Sequence, residues 1–451
     1  MFKGIVNAIL AAPMLRHPVA KWRSSRLTRS VAAMAGGTAF AQGVSLLTAP
    51  ITTRLYGPAD YGMAAVFSSV LGVLLLPATW RYEMALMLPA KEEDARSVLW
   101  ACLGLACGAS LLSVVVMLLF GKWAFAALGS PDLFKYWWML PPAILGGSLY
   151  QCFSVWALRR KEYFTLTGTK LRQAVVGSIV TIGLGCVWKG PLGLLIGSVC
   201  FMTMGVGRLA RGTFHKGHRV GVAAFARRVW DALRIYRRFA FLTTGATFLN
   251  AAGTLIAPML FSVCYTQAVV GHFSLAQRIV SLPGTLVGTA VGQVFIGEAA
   301  EMIRERPGEL PNFIKKVTRK MAPFSMAVLL IGLSCPWVFP VVFGARWHTA
   351  GVLAAILSVL AAVQLLVSPI ADISVLLQRQ GLQFGLGAVR TVIVFGTIWL
   401  PSRLGMGPIF AVACYTLGMS LMWSIAYLFY ARIARESRAP ARRPVALTAA
   451  A

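Results

Sequence analysis

Two arginines lie deep inside long apolar stretches of this 451-residue chain. Arg278 is about ten residues into a run that starts near Ala268, which at 1.5 Å per residue places it roughly 15 Å deep in a membrane helix. Arg390 is about two turns inside a later run and has no acid close in sequence. Insertion of a cation at the centre of a membrane helix costs about 2.5 to 3.5 kcal/mol, so the presence of both arginines there requires an explanation. Because guanidinium groups suit phosphate, Arg278 and Arg390 predict a site for an anionic ligand.

Polar residues follow Arg278 at helical spacing. They are Ser281, Thr285, Thr289 and Gln293. A polar stripe on one face of an apolar helix indicates a face that lines water, which favours a functional role for Arg278. A structural role remains open, in which Arg278 donates hydrogen bonds to carbonyls of a neighbouring helix.

A third arginine, Arg81, is followed closely by the acid Glu83 toward the inner end of the second apolar run. These two side chains could pair with each other or reach Asp372, near the inner end of the tenth run. An ion-paired gate and a ligand contact are both open for this group.

Two stretches of the chain match without a gap. Sliding residues 37–50 by 208 positions pairs Pro50 with Pro258 and sets the amide of Gln42 opposite that of Asn250. Halves that open with equivalent apolar helices indicate a duplicated transporter with its path between the repeats. Because proline bends a helix, Pro50 and Pro258 are predicted to let the halves rock.

Composition places these residues in a membrane protein. The chain is 58% hydrophobic and 13% charged, with a mean hydropathy of +0.72, so it has too little polar surface to cover a soluble core. Runs of about 20 apolar residues recur, which predicts an all-α polytopic protein with about twelve transmembrane helices. The predicted spans are 30–54, 61–89, 97–120, 136–158, 171–188, 191–208, 239–264, 268–296, 321–343, 349–377, 384–401 and 407–431.

These spans divide the chain into two six-helix bundles. The predicted parts are a basic cytoplasmic N-terminal segment (1–29), a first bundle (30–208), a basic amphipathic cytoplasmic linker (209–238), a second bundle (239–431) and a basic cytoplasmic tail (432–451). Amphipathic stretches at 223–238 and 310–320 are expected to lie on the membrane surface.

The net charge of +29 is explained by topology. Nearly all of the 43 Lys and Arg fall in alternate segments, which predicts cytoplasmic termini and contacts with anionic lipids rather than with nucleic acid. The eight cysteines are scattered without CxxC spacing, so neither disulfides nor a metal site is expected.

The sequence lacks the residues that several other classes of function require. No nucleophile with a base, phosphate-cradling glycine loop or metal-ligand spacing is found, so we expect neither an enzyme nor a cofactor. A cation-coupled multidrug exporter needs a carboxylate deep in one half, yet residues 30–59 and 239–297 contain none. That exporter and a membrane-embedded polysaccharide polymerase or ligase remain the alternative functions.

Short motifs in a fixed order run from about Ala33 to Tyr430. They include Leu55-Tyr56-Gly57-Pro58-Ala59-Asp60-Tyr61-Gly62, Arg81-Tyr82-Glu83, Arg160-Lys161-Glu162-Tyr163-Phe164, Tyr236-Arg237-Arg238-Phe239, Ala276-Gln277-Arg278 and Gln293-Val294-Phe295. In this order the chain resembles the polysaccharide biosynthesis flippases, the Wzx-type O-antigen flippase family of the multidrug/oligosaccharidyl-lipid/polysaccharide exporter superfamily.

The resemblance implies a fold and a cargo. The fold would be two six-helix bundles facing each other across a V-shaped cavity, as in multidrug and toxin exporters. The cargo would be an undecaprenyl-pyrophosphate-linked oligosaccharide, moved from the cytoplasmic to the periplasmic leaflet of a bacterial inner membrane for O-antigen, capsule or exopolysaccharide synthesis. A polysaccharide polymerase and a chain-length regulator would be partners. A peptidoglycan-precursor flippase is a closer rival, although such relatives usually carry two more helices.

Roles follow for the residues singled out above. Arg278, Arg390 and Arg81 would hold the pyrophosphate. The amides of Gln42, Asn250 and Gln293 would bond sugar hydroxyls, and hydrogen bonding between helices remains an equal alternative for them.

Overall fold

The computed structural model describes residues 26–214, 222–377 and 379–436, and these ranges contain helices but no strand. The helices are α1 (Arg26–Leu55), α2 (Pro58–Ala78), α3 (Tyr82–Ala85), α4 (Glu92–Ala127), α5 (Leu140–Arg159), α6 (Tyr163–Val187), α7 (Leu192–Thr203), α8 (Val206–Phe214), α9 (Val222–Cys264), α10 (Gln267–Pro283), α11 (Thr289–Glu305), α12 (Leu310–Phe343), α13 (His348–Val367), α14 (Ile373–Leu376), α15 (Gln380–Arg403) and α16 (Pro408–Glu436). A π-helical segment, Gly284–Gly288, joins α10 to α11.

Each of the twelve predicted spans coincides with one of these helices or with a joined pair. Nine helical stretches of the described ranges are long and apolar enough to cross a membrane. The chain is therefore an all-α polytopic membrane protein, as its composition predicts.

Two amphipathic stretches differ from their prediction as surface segments. Residues 223–238 are part of α9, which continues without a break to Cys264, and residues 310–320 are the first turns of α12. Their apolar faces pack against neighbouring helices instead of lying alone on lipid, because Ala232, Leu310 and Ile314 are buried. Most of the predicted N-terminal segment and tail, and residues 215–221 of the predicted linker, lie outside the described residues.

Helix packing follows the internal repeat. In the first half α1 packs along α6, and in the second half its counterpart α9 packs along α15. Across the halves, α2 packs against its own counterpart, α10. The two halves are therefore related by an approximate two-fold arrangement, which the matching of residues 37–50 with 245–258 predicts.

The buried apolar core is continuous at one end of the molecule and divided at the other. One cluster joins residues of both halves, including Phe67, Phe273 and Trp347. Toward the opposite end, one cluster surrounds Trp156 and includes Ala232 and Ala240 of α9, and a separate cluster surrounds Phe295 in the second half. The halves thus share one core at the first end, here called the sealed end (residues 53–62, 128–130, 262–271 and 346–347). At the second, the basic end (residues 81–93, 159–161 and 227–238), α9 still packs against the first half, but the core is divided between the two clusters.

Candidate functional site

The sealed end depends on two glycines. A Cβ on Gly62 of α2 would lie 1.9 Å from the Gln267 carbonyl oxygen, and one on Gly271 of α10 would lie 1.8 Å from the Pro58 carbonyl oxygen. Only glycine allows the first turns of α2 and α10 to approach so closely. The contact is reciprocal, as the two-fold arrangement requires.

A loop of the second half covers the last turn of α1. The Arg346 guanidinium donates hydrogen bonds to the carbonyl oxygens of Thr53 (2.8 Å) and Arg54 (2.5 Å). The indole of Trp347 donates to the same Thr53 oxygen at 3.0 Å and packs edge-on against Tyr61. These donors satisfy carbonyl groups that a helix end leaves without partners.

The equivalent loop of the first half covers the last turn of α9. The hydroxyls of Ser130 and Ser262 lie 2.7 Å apart, and Ser262 also donates to the Leu128 carbonyl. The Gln267 side-chain nitrogen lies within 2.6 to 2.9 Å of both hydroxyls and of the Gly129 carbonyl. Each half therefore holds the end of the other half's first helix.

Arg278 lies on the basic-end side of this seal. Its guanidinium donates to the Ser45 hydroxyl of α1, so it bridges the two halves, and its side chain is exposed. It also interacts electrostatically with Tyr61, whose hydroxyl is 2.6 Å from that of Thr52. All fourteen acidic residues of the chain fall in the described ranges, and none of them forms an ion pair with Arg278 there.

The predicted polar stripe runs from Arg278 toward the basic end. The hydroxyls of Ser281 and Thr285 donate to carbonyls of their own helix at 3.1 and 2.9 Å, and Thr289 donates to Thr285. Their oxygens keep lone pairs that can accept hydrogen bonds from a ligand. Thr285, Thr289 and Gln293 are exposed, and the π-helical segment lies within the stripe, a distortion common at functional sites.

Helix α1 presents a facing stripe. Thr38, Gln42 and Ser45 are spaced by four and three residues and share one side of the helix. The opposite side of α1 carries Phe40 and Leu47, which are 54% and 77% exposed. The half-buried Gln42 therefore lies on the same side as the Arg278 contact, whereas the exposed apolar side chains point away from it.

Lys170 of α6 reaches the same stripe. Its ammonium donates to the Thr38 hydroxyl at 3.3 Å. Lys170 was not predicted as a site residue because the fifth predicted span was expected to begin at residue 171, whereas α6 begins at Tyr163.

Arg81 and Glu83 form the predicted ion pair at the basic end, with 3.3 Å between nitrogen and oxygen. Glu83 is buried and also accepts a 2.5 Å hydrogen bond from Thr79, while Arg81 has the left-handed backbone conformation at φ 57°. Asp372 is exposed and forms no ion pair with Arg81 within the described residues. The structure therefore joins Arg81 to Glu83 and leaves Asp372 apart from them.

Arg390 is in different surroundings from Arg278. Its side chain covers Gly253 of α9, where a Cβ would lie 2.5 Å from Nε, and it interacts electrostatically with Tyr415 and Tyr430. Arg390 is half-buried among α9, α15 and α16. Its described contacts are within the second half, whereas those of Arg278 reach the first.

The remaining predicted residues lie in α1 and α9. Pro50 is half-buried and Pro258 is buried, each inside an unbroken helix, and their role as bends stays a prediction. Asn250 belongs to α9, but its side chain is not among those that the structure describes. The side chains of the other predicted site residues are all described.

Sequence reasoning missed Ser45, Gly62 and Gly271. A shift of 208 places Gly62 opposite Val270, one residue short of Gly271, because the second half is one residue longer by the start of α10. A gapped comparison of the halves would have found the glycine pair. Ser45 has no such signal, since its role depends on the approach of α10.

Comparisons with known proteins agree with this fold. The chain matches the family described as "Polysaccharide biosynthesis protein" over residues 51–352. It is also similar to the succinoglycan biosynthesis transport protein ExoT of Rhizobium meliloti strain 1021, with 24% identity over 324 residues, which are 68% of this chain. The match spans 60% of that relative's length.

Solved structures share the architecture. A lipid II flippase MurJ in an inward closed conformation superposes with a TM-score of 0.66 at 14% identity, covering 90% of each chain. An inward-facing multidrug resistance MATE family transporter of the MOP superfamily gives 0.68 at 14% identity, covering 88% of this chain and 95% of the other. Two facing bundles are thus the shared fold, and with the family match across two thirds of its length the chain belongs to the polysaccharide biosynthesis protein family.

Proposed function

We propose that this protein moves a polyprenyl-diphosphate-linked oligosaccharide from the cytoplasmic to the periplasmic leaflet by alternating access. The observation that carries the proposal is Arg278, an exposed cation that bridges the two halves and forms no ion pair within the described residues. Such a group at the interface of two moving bundles binds an anionic cargo and experiences both states of the cycle.

The chemistry of the cargo fits the two sides of α1. A diphosphate with sugars has a prohibitive free energy in hydrocarbon, so it needs the polar surfaces of Gln42, Arg278 and the α10–α11 stripe. The polyprenyl tail needs no such shelter. It would remain in lipid against apolar side chains such as Phe40 and Leu47, which are exposed on the other side of α1.

The charge distribution supports a direction of transport. Because cytoplasmic loops carry an excess of Lys and Arg, we infer that the basic end lies in the cytoplasm and the sealed end in the periplasm. The described conformation would then be open to the cytoplasm and ready to receive cargo. Bacterial inner-membrane localisation and cytoplasmic termini belong to this proposal.

The relatives support the cargo class. One is named as a succinoglycan transport protein and one solved neighbour as a lipid II flippase. The alternative, a cation-coupled multidrug exporter of the same fold, is disfavoured because residues 30–59 and 239–297 contain no carboxylate. A peptidoglycan precursor also has a prenyl diphosphate, so the attached sugars and peptide, and not the diphosphate, separate that rival cargo.

Replacement of Arg278 tests the proposal. Arg278→Ala should lower surface polysaccharide at least about tenfold, because hydrogen bonds to charged groups contribute roughly 1.5 to 3 kcal/mol and 1.4 kcal/mol is tenfold. Arg278→Lys should retain part of the activity, and Arg278→Glu should fall below the alanine variant because it repels phosphate.

The control is Arg403→Ala, which removes an exposed arginine in the last turn of α15. Polymer is measured in cells matched for the amount of inserted protein. Normal polymer in the Arg278→Ala strain would remove Arg278 from transport and leave the proposal without its main support.

A further inference from the structure

We propose that Lys170 is a second phosphate ligand, which makes the cavity prefer a lipid diphosphate over a lipid monophosphate. This inference rests on the proposed function and assigns the two phosphates to two different cations. Arg278 would hold one phosphate and Lys170 the other.

The two cations bind the same side of α1. Lys170 donates to Thr38 and Arg278 donates to Ser45, and these hydroxyls are seven residues apart. Seven residues are nearly two turns, so Thr38 and Ser45 differ by about 20° around the helix and about 10 Å along it. Two long side chains that approach from neighbouring helices can close on a ligand between these points, and Gln42 lies there.

Within the described residues, the charge of Lys170 has no acidic partner. All fourteen acids of the chain are described, and no ion pair among them involves Lys170. The side chain is half-buried about two turns inside α6, and it donates a hydrogen bond to a neutral hydroxyl. An ammonium held there without a carboxylate is available for an anion.

The two cation types suit two successive phosphates. Arginine binds one phosphate with a fixed fork of donors, whereas lysine is a point charge on a flexible stem that can reach the next. A monophosphate would engage Arg278 and leave Lys170 on Thr38. A diphosphate would engage both, which gives a preference that neither cation supplies alone.

Binding to the purified full-length protein in detergent tests this assignment. The probes are farnesyl diphosphate, farnesyl monophosphate and phosphatidylglycerol, each titrated by calorimetry. The wild type should bind the diphosphate about tenfold tighter than the monophosphate, a ratio that corresponds to one additional charge-assisted contact. Lys170→Ala should bring the ratio close to one with monophosphate binding unchanged, and Arg278→Ala should weaken both.

Two further variants exclude a structural explanation. Lys170→Gln keeps a donor for Thr38 without the charge, so it should behave like Lys170→Ala. Arg172→Ala removes an exposed cation two residues away on α6 and should keep the wild-type ratio.

The outcomes that would contradict this assignment can be distinguished from one that would contradict the proposed function. A wild-type ratio in Lys170→Gln would make Lys170 a structural contact and overturn the assignment. An equal loss of phosphatidylglycerol and diphosphate binding in Lys170→Ala would make it a site for bulk lipid headgroups and overturn it as well. Failure of the wild type to bind either farnesyl phosphate would instead contradict the proposed function itself.

Discussion

Two equivalent seams join the halves of this protein, and they differ in packing. At the seam between α2 and α9, Leu255 lies on Gly72, Trp80 stacks on Phe241 at 6.2 Å, and the Tyr82 hydroxyl donates to a carbonyl of α9. The equivalent seam is between α1 and α10. There, within the described residues, the two helices do not form an extended packed pair, and Arg278 donates a hydrogen bond to Ser45.

The two seams differ in amino-acid sequence at equivalent positions of the repeat. The counterpart of Leu255 is Leu47, which is 77% exposed instead of packed. The counterpart of Gly72 is Ser281, which lacks the flat surface of a glycine and adds a hydroxyl. The α2–α9 seam thus carries small and aromatic residues that close it, whereas the α1–α10 seam carries polar residues that suit contact with water. The open seam is where a lipid-linked cargo would enter sideways from the inner leaflet.

Cross-linking each seam should give the largest contrast. With the eight native cysteines replaced, Leu47→Cys with Ser281→Cys, joined by a short bis-methanethiosulfonate, should abolish polymer export because the proposed entrance is closed. The same reagent on Gly72→Cys with Leu255→Cys should leave export largely intact, since those residues are already in contact. Loss of export only in the second pair would reverse the roles of the two seams.

Gly62→Ala should separate the halves at the sealed end. Its methyl group cannot fit 1.9 Å from a carbonyl oxygen, and overpacking of this kind costs about 1 to 3 kcal/mol, which at its upper end is about a hundredfold in the equilibrium. The readout is labelling of an Ala49→Cys reporter by an impermeant maleimide from the periplasm. Gly245→Ala, where a Cβ would meet nothing within 4 Å, is the matched control. Unchanged labelling would place the closure of this end elsewhere.

Arg346→Ala should have a smaller effect at the same end. It removes two hydrogen bonds from a charged donor that is itself exposed, so we expect a loss of about 1.5 kcal/mol and about tenfold faster labelling of the same reporter. Arg346→Lys should restore part of the protection. An alanine variant indistinguishable from the parent would indicate that Trp347 alone holds the end of α1.

Trp80→Ala should have the smallest effect and should act on the closed seam. Stacked aromatic pairs contribute about 0.5 to 1.5 kcal/mol beyond their buried area, so the purified protein should melt a few degrees lower with its polymer export nearly unchanged. A severe export defect at normal stability would mean that this seam also moves during transport.

The helices and the position of Arg278 could be predicted from the sequence, because both depend on local properties. Twenty apolar residues must form a helix in a bilayer, and a cation ten residues into such a run must lie deep. The fold itself followed from ordered motifs such as those around Tyr61 and Arg81, which the family match then confirmed.

Contacts between distant helices could not be predicted in this way. The Ser45 contact, the surroundings of Arg390 and the role of Gly62 all depend on how closely two helices approach, which no single segment determines. Lys170 was missed for a simpler reason. The predicted span began at residue 171, one residue after it, whereas α6 begins at Tyr163 and places Lys170 about two turns inside the helix.

The exchanged loops at the sealed end have a consequence for leakage. The loop that contains Arg346 binds the end of α1, and the loop that contains Ser130 binds the end of α9. Each half therefore holds the other, and both sets of contacts must break before the sealed end can open. Under the proposed function, opening would therefore be concerted, and partly open states that pass protons down a membrane potential would be sparsely populated. Such a transporter would cycle without a proton leak through its sealed end.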